Sequence, residues 1–81
     1  IDMDTKTKVK DVIVKLLKIK PEEVKEGLSL EQSLGVDSTE MVEVCIALQK
    51  EFGIAIQEKE VAKQHSVEQI AKVIDSKIYP I

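Results

Sequence analysis

Eighty-one residues allow one small domain, with a core near the lower size limit for stability without covalent staples. One cysteine and one histidine exclude an internal disulfide and a structural zinc set, and no apolar run approaches membrane-spanning length. The net charge is only −3 but uneven: residues 1–20 carry six lysines against three acids, residues 21–60 ten acids against three lysines, and residues 61–81 three lysines against two acids. With an acidic centre and only Phe52 and Tyr79 as aromatics, the chain lacks the basic, aromatic surface of a nucleic-acid binder. The N-terminus has no signal-like pattern, so a reducing compartment, the cytoplasm or an organellar matrix, is the expectation. The residues around Met3 are expected to be a remnant of processing or cloning, and 1–4 and 79–81 to be frayed around a single domain spanning 1–81.

From Thr5 to Lys18 the apolar residues Val9, Val12, Ile13, Leu16 and Leu17 fall at i, i+3, i+4, i+7 and i+8, which is one buried face of an amphipathic helix. Lys6, Lys8, Lys10, Lys15 and Lys18 take most of the remaining surface as a solvated face. Pro21 then suits the first position of a short turn over Pro21 to Val24. The stretch from Ile19 to Val36 is long for a connection in so small a domain. Leu28, Leu30 and Leu34 are expected to pin it to the core, with no lasting helix beyond the Pro21 turn.

The second helix is predicted from about Ser38 to Phe52, ending at Gly53, which tolerates the left-handed conformation of a helix end. Asp37 and Glu40 have capping-box spacing, placing Ser38 on the first turn. Gly35, just upstream, allows a sharp turn and a close approach by another molecule. The free amides and positive dipole end of a helix start lower the cost of a negative charge there, so a phosphorus ester on Ser38 would be well placed. By itself, a serine in this position is ordinarily just part of a cap. Met41, Val44, Cys45, Leu48 and Phe52 form the apolar side. Glu40, Glu43, Ala47, Lys50 and Glu51 lie opposite, and Val42 and Ile46 sit on the border.

Ile54 and Ile56 continue into the core, Glu58 to Lys63 is predicted as a short third helix around Val61 and Ala62, and Ser66 to Gln69 is a capping box opening the last helix. That helix carries Val67, Ile70, Ala71, Val73, Ile74 and Ile78 at helical spacing. His65 is expected to be structural or exposed, and Cys45 a small core hydrophobe. The fold class is therefore all-α: a small four-helix bundle of three main helices and one short one, with a long loop between the first and second.

Leu34-Gly35-Val36-Asp37-Ser38, the run Met41 to Leu48, and Glu51-Phe52-Gly53-Ile54 together resemble the acyl carrier protein family, over about Val9 to Ile74. The Ser29 to Gly35 approach is similar to that family's long first loop. The resemblance implies that Ser38, after Asp37, carries 4′-phosphopantetheine from coenzyme A, attached by a phosphopantetheinyl transferase. It implies a non-catalytic role: acyl groups ride as thioesters on the arm, among fatty-acid, polyketide or related biosynthetic enzymes with basic docking patches. It assigns partner contact to Thr39, Glu40, Val42, Glu43, Ile46 and Glu51, with no metal ligand, and a monomer is expected. Thr39 stands where leucine is usual, Gln49 and Lys50 where acids are usual, and Gln64 where an apolar residue is usual.

Other readings stand beside this one. Amino-acyl and peptidyl carriers share the modified serine and the bundle. A helical interaction module could dock a partner helix on the rim of Val42 and Ile46, and phosphorylation of Ser38 would also place charge at the helix start. An enzyme fits least, because no acid–base pair or nucleophile–base spacing is present.

Overall fold

Aliphatic residues at helical spacing, with lysines between them, make α1 (Met3–Leu17) a helix whose buried face is centred on Val9 and Ile13. The computed structural model describes residues 3–79. Three further helices follow: α2 (Leu30–Leu34), α3 (Ser38–Phe52) and α4 (Val67–Ile78), with 3-10 turns at Pro21–Glu23 and Glu58–Glu60. The all-α bundle is as expected. Of the ends expected to fray, residues 1, 2, 80 and 81 lie outside the described residues. Met3 and Asp4 belong to α1, and Tyr79 caps α4 by donating its amide to the Asp75 carbonyl at 2.8 Å.

Helix ends follow local chemistry. Lys18 turns the chain out of α1 in the left-handed region (φ 57°), and Ile19 donates back to the Val14 carbonyl at 3.2 Å, a Schellman-type closure. Gly53 ends α3 as predicted, at φ 64°. Ser66 and Gln69 form the capping box of α4 with bonds of 3.2 and 2.9 Å.

Two local expectations are corrected. The long connection contains a real helix, α2, capped by the Ser29 hydroxyl, which accepts the Gln32 amide at 3.1 Å. The same Ser-x-x-Gln spacing that marks α4 was present there, but five residues do not form a stable helix unaided. What holds it is tertiary: the amides of Leu30 and Glu31 donate to the carbonyls of His65 and Lys63 at 3.0 and 2.9 Å, and Ser29 bridges Ser66 antiparallel. Conversely, the short helix expected over 58–63 is only a 3-10 turn at Glu58–Glu60, after which Val61 leaves helical geometry and is buried.

α1 packs on both α3 and α4. The core holds Val9 and Ile13 from α1, Met41, Val44, Cys45 and Leu48 from α3, and Val67, Ile70, Ala71 and Ile74 from α4, closed by Val24, Leu30, Val36, Ile56 and Val61. Of the three leucines expected to pin the long connection, Leu30 is fully buried, Leu34 packs on the core edge, and Leu28 is 46% exposed. Leu28 lies between Glu26, whose carbonyl accepts the Glu68 amide at 3.4 Å, and the Ser29 bridge to Ser66, and its side chain is left outside. Thr5, buried, donates its hydroxyl to the Asp75 carboxylate at 2.6 Å and ties α1 to α4. Lys6 and Lys10 are half-buried and reach Glu26 at 3.5 and 3.8 Å, while Lys8, Lys15 and Lys18 form the solvated face.

Leu30→Ala is expected to cost about 2–5 kcal/mol of unfolding free energy, and Leu28→Ala under about 0.5 kcal/mol, both read by urea denaturation. Equal costs would show that the connection is pinned differently.

Glu60 yields a pH test. Its carboxylate accepts the Gln57 amide at 2.9 Å and pairs with Lys77 at 3.1 Å, and the amide bond first, then Lys77, hold it below the ordinary value of 4.5. A depressed carboxylate contributes above its unfolded value and loses that contribution as acid protonates the folded form. The stability gap between the native chain and Glu60→Gln is therefore expected to be steady near neutrality and to close on acidification below the unfolded carboxylate range. A gap that widens in acid would contradict this.

Candidate functional site

The approach to α3 is fixed at both ends. Gly35 caps α2 at φ 68°, with its amide donating to the Glu31 carbonyl at 2.9 Å. A Cβ there would meet nothing within 4 Å, so glycine is needed for the left-handed backbone rather than for space. Val36 is buried and anchors the chain, Asp37 is extended, and α3 begins at Ser38. The capping box forms as predicted: Asp37 Oδ1 accepts the Glu40 amide at 2.8 Å, and Glu40 Oε1 accepts the Asp37 amide at 3.0 Å. The first intrahelical bond runs from the Met41 amide to the Asp37 carbonyl at 3.0 Å. The amides of Ser38 and Thr39 precede it, on the first turn where a negative group is favoured.

Ser38 and Thr39 are exposed, while Met41, one turn on, is buried. The serine is thus presented at the surface by a helix whose root is set in the core. Beside it lies a cavity of about 190 Å³, floored by Met41, Val42, Val61 and Ala62 and rimmed by Glu58, Lys63 and Gln64. The far wall is a turn closed by reciprocal bonds. His65 donates its amide to the Ala62 carbonyl at 2.9 Å, and Ala62 donates its amide to His65 Nδ1 at 3.0 Å. The single histidine is therefore structural, half-buried and occupied as a backbone acceptor. Lys63 on this turn is tied to Glu31 of α2 at 3.3 Å.

Past Val42 and Glu58 the cavity continues as an open groove of about 540 Å³ between α3 and the segment Ile56 to Lys59. Cys45 lines its base at 2% exposure and directs its thiol to the Ile56 carbonyl at 3.5 Å. Burial, then the charges of Glu58 and Glu60, push that thiol up, so Cys45 stays protonated and serves the core as expected.

The positions assigned to partner contact fall in three places. Val42 and Ile46, 37% and 47% exposed, form the apolar rim of the groove. Thr39 and Glu43 are exposed on α3, whereas Glu40 is half-buried with its carboxylate turned back to the cap. Glu51, also exposed, lies at the other end of α3, where it lines a small cavity with Lys8, Asp11 and Lys15 of α1. Sequence reasoning missed Gln49, whose side-chain oxygen accepts the Ile56 amide at 3.2 Å, and the rim residues Glu58 and Lys63. Gln49 signalled itself only as a neutral residue where acids are usual. Glu58 and Lys63 come to the site through tertiary packing, without a local signal. Among the described residues, no group of histidines, cysteines and acids is arranged to hold a metal.

A family model described as "Phosphopantetheine attachment site" matches residues 7–74, spanning everything from α1 to the middle of α4. The chain is 37% identical over 68 residues to an "Acyl carrier protein" of Wolinella succinogenes, covering 84% of this chain and 90% of that protein. It is 36% identical over 70 residues to one of Bdellovibrio bacteriovorus, with 86% and 90% covered. It is 34% identical over 74 residues to one of Campylobacter hominis, with 91% and 94% covered.

Asp37→Ala removes the acceptor of the Glu40 amide and is expected to destabilise the fold by about 1 kcal/mol, with Asp37→Asn retaining most of that. Chemical denaturation of the two variants would check it, and equal losses would mean that charge rather than the hydrogen bond carries the cap.

Proposed function

This chain belongs to the acyl carrier protein family, and from that membership we propose that Ser38 bears its 4′-phosphopantetheine. The carrier role and the prosthetic group come with the family. The observation that carries the assignment to Ser38 is its exposure on the first turn of α3, beside an apolar-floored cavity, inside the matched region. The helix start favours the phosphodiester charge through its free amides and dipole. Met41, rooted in the core, keeps the serine from moving with the loop.

When bound, the group supplies a thiol that holds an acyl cargo as a thioester. A separate phosphopantetheinyl transferase joins Ser38 Oγ to phosphorus, breaks the pyrophosphate of coenzyme A with release of adenosine 3′,5′-bisphosphate, and takes up the serine proton. The cavity beside Ser38 can then receive the first carbons of the cargo, with Met41, Val42, Val61 and Ala62 replacing water around them.

Partners are enzymes of the transferase and synthase classes, which meet α3 at its exposed face. Val42 and Ile46 supply apolar contact, and Thr39 and Glu43 flank it. Acidic groups steer a basic partner patch and speed encounter without tight binding, which suits a carrier that must be released. Lys59 on the groove, Lys63 on the rim of the cavity and the neutral Gln49 make this face less uniformly acidic, a pattern suited to dedicated partners. We place the chain as a single carrier domain acting as a cytoplasmic monomer, with catalysis residing in the enzymes that dock. No helix among the described residues is long and apolar enough to cross a membrane.

The test is intact mass before and after incubation with coenzyme A and a broad-specificity phosphopantetheinyl transferase. The native chain is expected to gain one phosphopantetheine and Ser38→Ala none. A folded native chain that gains nothing with several transferases, or a Ser38→Ala chain that still gains, would overturn the assignment. A failure to load would favour a docking module built on the Val42 and Ile46 rim.

A further inference from the structure

We infer that Cys45 and Gln49 set the length of acyl cargo this carrier shelters, by fastening Ile56 to α3; the inference rests on Ser38 as the attachment residue. Ile56 is buried at 6% exposure, and both of its backbone polar groups are satisfied by α3 side chains one turn apart. Its amide donates to Gln49 Oε1 at 3.2 Å, and its carbonyl accepts from the Cys45 thiol at 3.5 Å. Gln49 Nε2 also lies 3.9 Å from the Cys45 sulfur, closing the three groups into one network. This clamp lies one turn past Val42, where the cavity beside Ser38 gives way to the open groove.

Widening the bundle beyond Val42 means pulling Ile56 away from α3. That would strand a buried amide and a buried carbonyl, a loss that exceeds the gain from covering one more methylene. The wall nearer Ser38, from Val61 to Gln64, is held instead by His65 and by α2, and faces α3 through apolar contact that a ligand can replace. Sheltered space therefore ends at Val42 and Glu58. An apolar cavity of about 150 Å³ takes a six-carbon ring such as benzene, so a cavity of about 190 Å³ matches a chain of about hexanoyl length. A longer chain continues into the groove rimmed by Gln57, Glu58 and Lys59, where it stays in contact with water.

The experiment loads the chain from acetyl, butanoyl, hexanoyl, decanoyl and dodecanoyl coenzyme A, with mass confirming each product. It then reads the thermal midpoint by circular dichroism and the rate of thioester cleavage by hydroxylamine. Both stabilisation and protection are expected to rise from acetyl to hexanoyl and stay flat to dodecanoyl. In Gln49→Leu, which cannot accept from Ile56, the rise is expected to continue to decanoyl or beyond. Gln49→Glu, which keeps an acceptor oxygen, is expected to keep the native ceiling. A native series that climbs through dodecanoyl, or an unchanged ceiling in a folded Gln49→Leu, would overturn the inference. The native series decides even if that variant does not fold. Absence of loading would appear first, in the mass, and would count against the attachment residue itself.

Discussion

Leu30 and Glu31 donate their amides to the carbonyls of His65 and Lys63, and this short antiparallel contact joins the two connections that would otherwise be the loosest parts of the molecule. Buried backbone polar groups must find partners, and here each connection supplies them for the other. The contact gives α2 the support that five residues cannot generate alone. It puts Leu30 into the core, brings Gly35 and Val36 to a fixed position ahead of α3, and sets the Ala62 to His65 turn opposite Ser38. The placement of the serine and the shape of the cavity beside it thus have one origin.

α3 connects that scaffold to function because its faces are assigned different tasks. One face, Met41, Val44, Cys45 and Leu48, is fixed in the core. Its first turn presents Ser38 under a closed capping box, and its border residues Val42 and Ile46 remain open to a partner. A carrier needs this combination. The reacting group must reach many enzymes, so it lies on a swinging arm, but the enzymes must find a surface that does not move. In a small bundle with a mainly aliphatic interior, rigidity comes from satisfied ends and pinned connections more than from core size.

Charge is arranged in support of the same division. Lys6, Lys10, Lys63 and Lys77 are drawn into pairs with Glu26, Glu31 and Glu60, where partly exposed ion pairs each contribute little to stability but register neighbouring segments. Of the remaining lysines of α1, Lys8 and Lys15 are exposed and line a small cavity with the exposed Glu51 of α3. Exposed charges of this kind act over about one Debye length, roughly 8–10 Å.

The helices α1, α3 and α4, the N-caps of α3 and α4, the glycine end of α3, and the serine on the first turn of α3 were legible in the sequence. Each depends on interactions within about four residues, namely apolar periodicity, Asp37 with Glu40, Ser66 with Gln69, and Gly53 as a stop. The motif around Ser38 likewise indicated the family, because its residues are contiguous. What the sequence left undecided is whatever depends on residues far apart in the chain. Leu28 and Leu30 look alike until the pairing of 29–31 with 63–66 buries one and leaves the other outside. The helix expected at 58–63 gives way to a turn because Val61 is drawn into the core and the carbonyls of Lys63 and His65 are taken by α2. Gln49 reads as a neutral surface residue until Ile56, seven positions on, folds back to donate its amide to it. Local bonds determined which segments are helical and where Ser38 sits on its helix. Burial and long-range backbone pairing decided the cavity beside it.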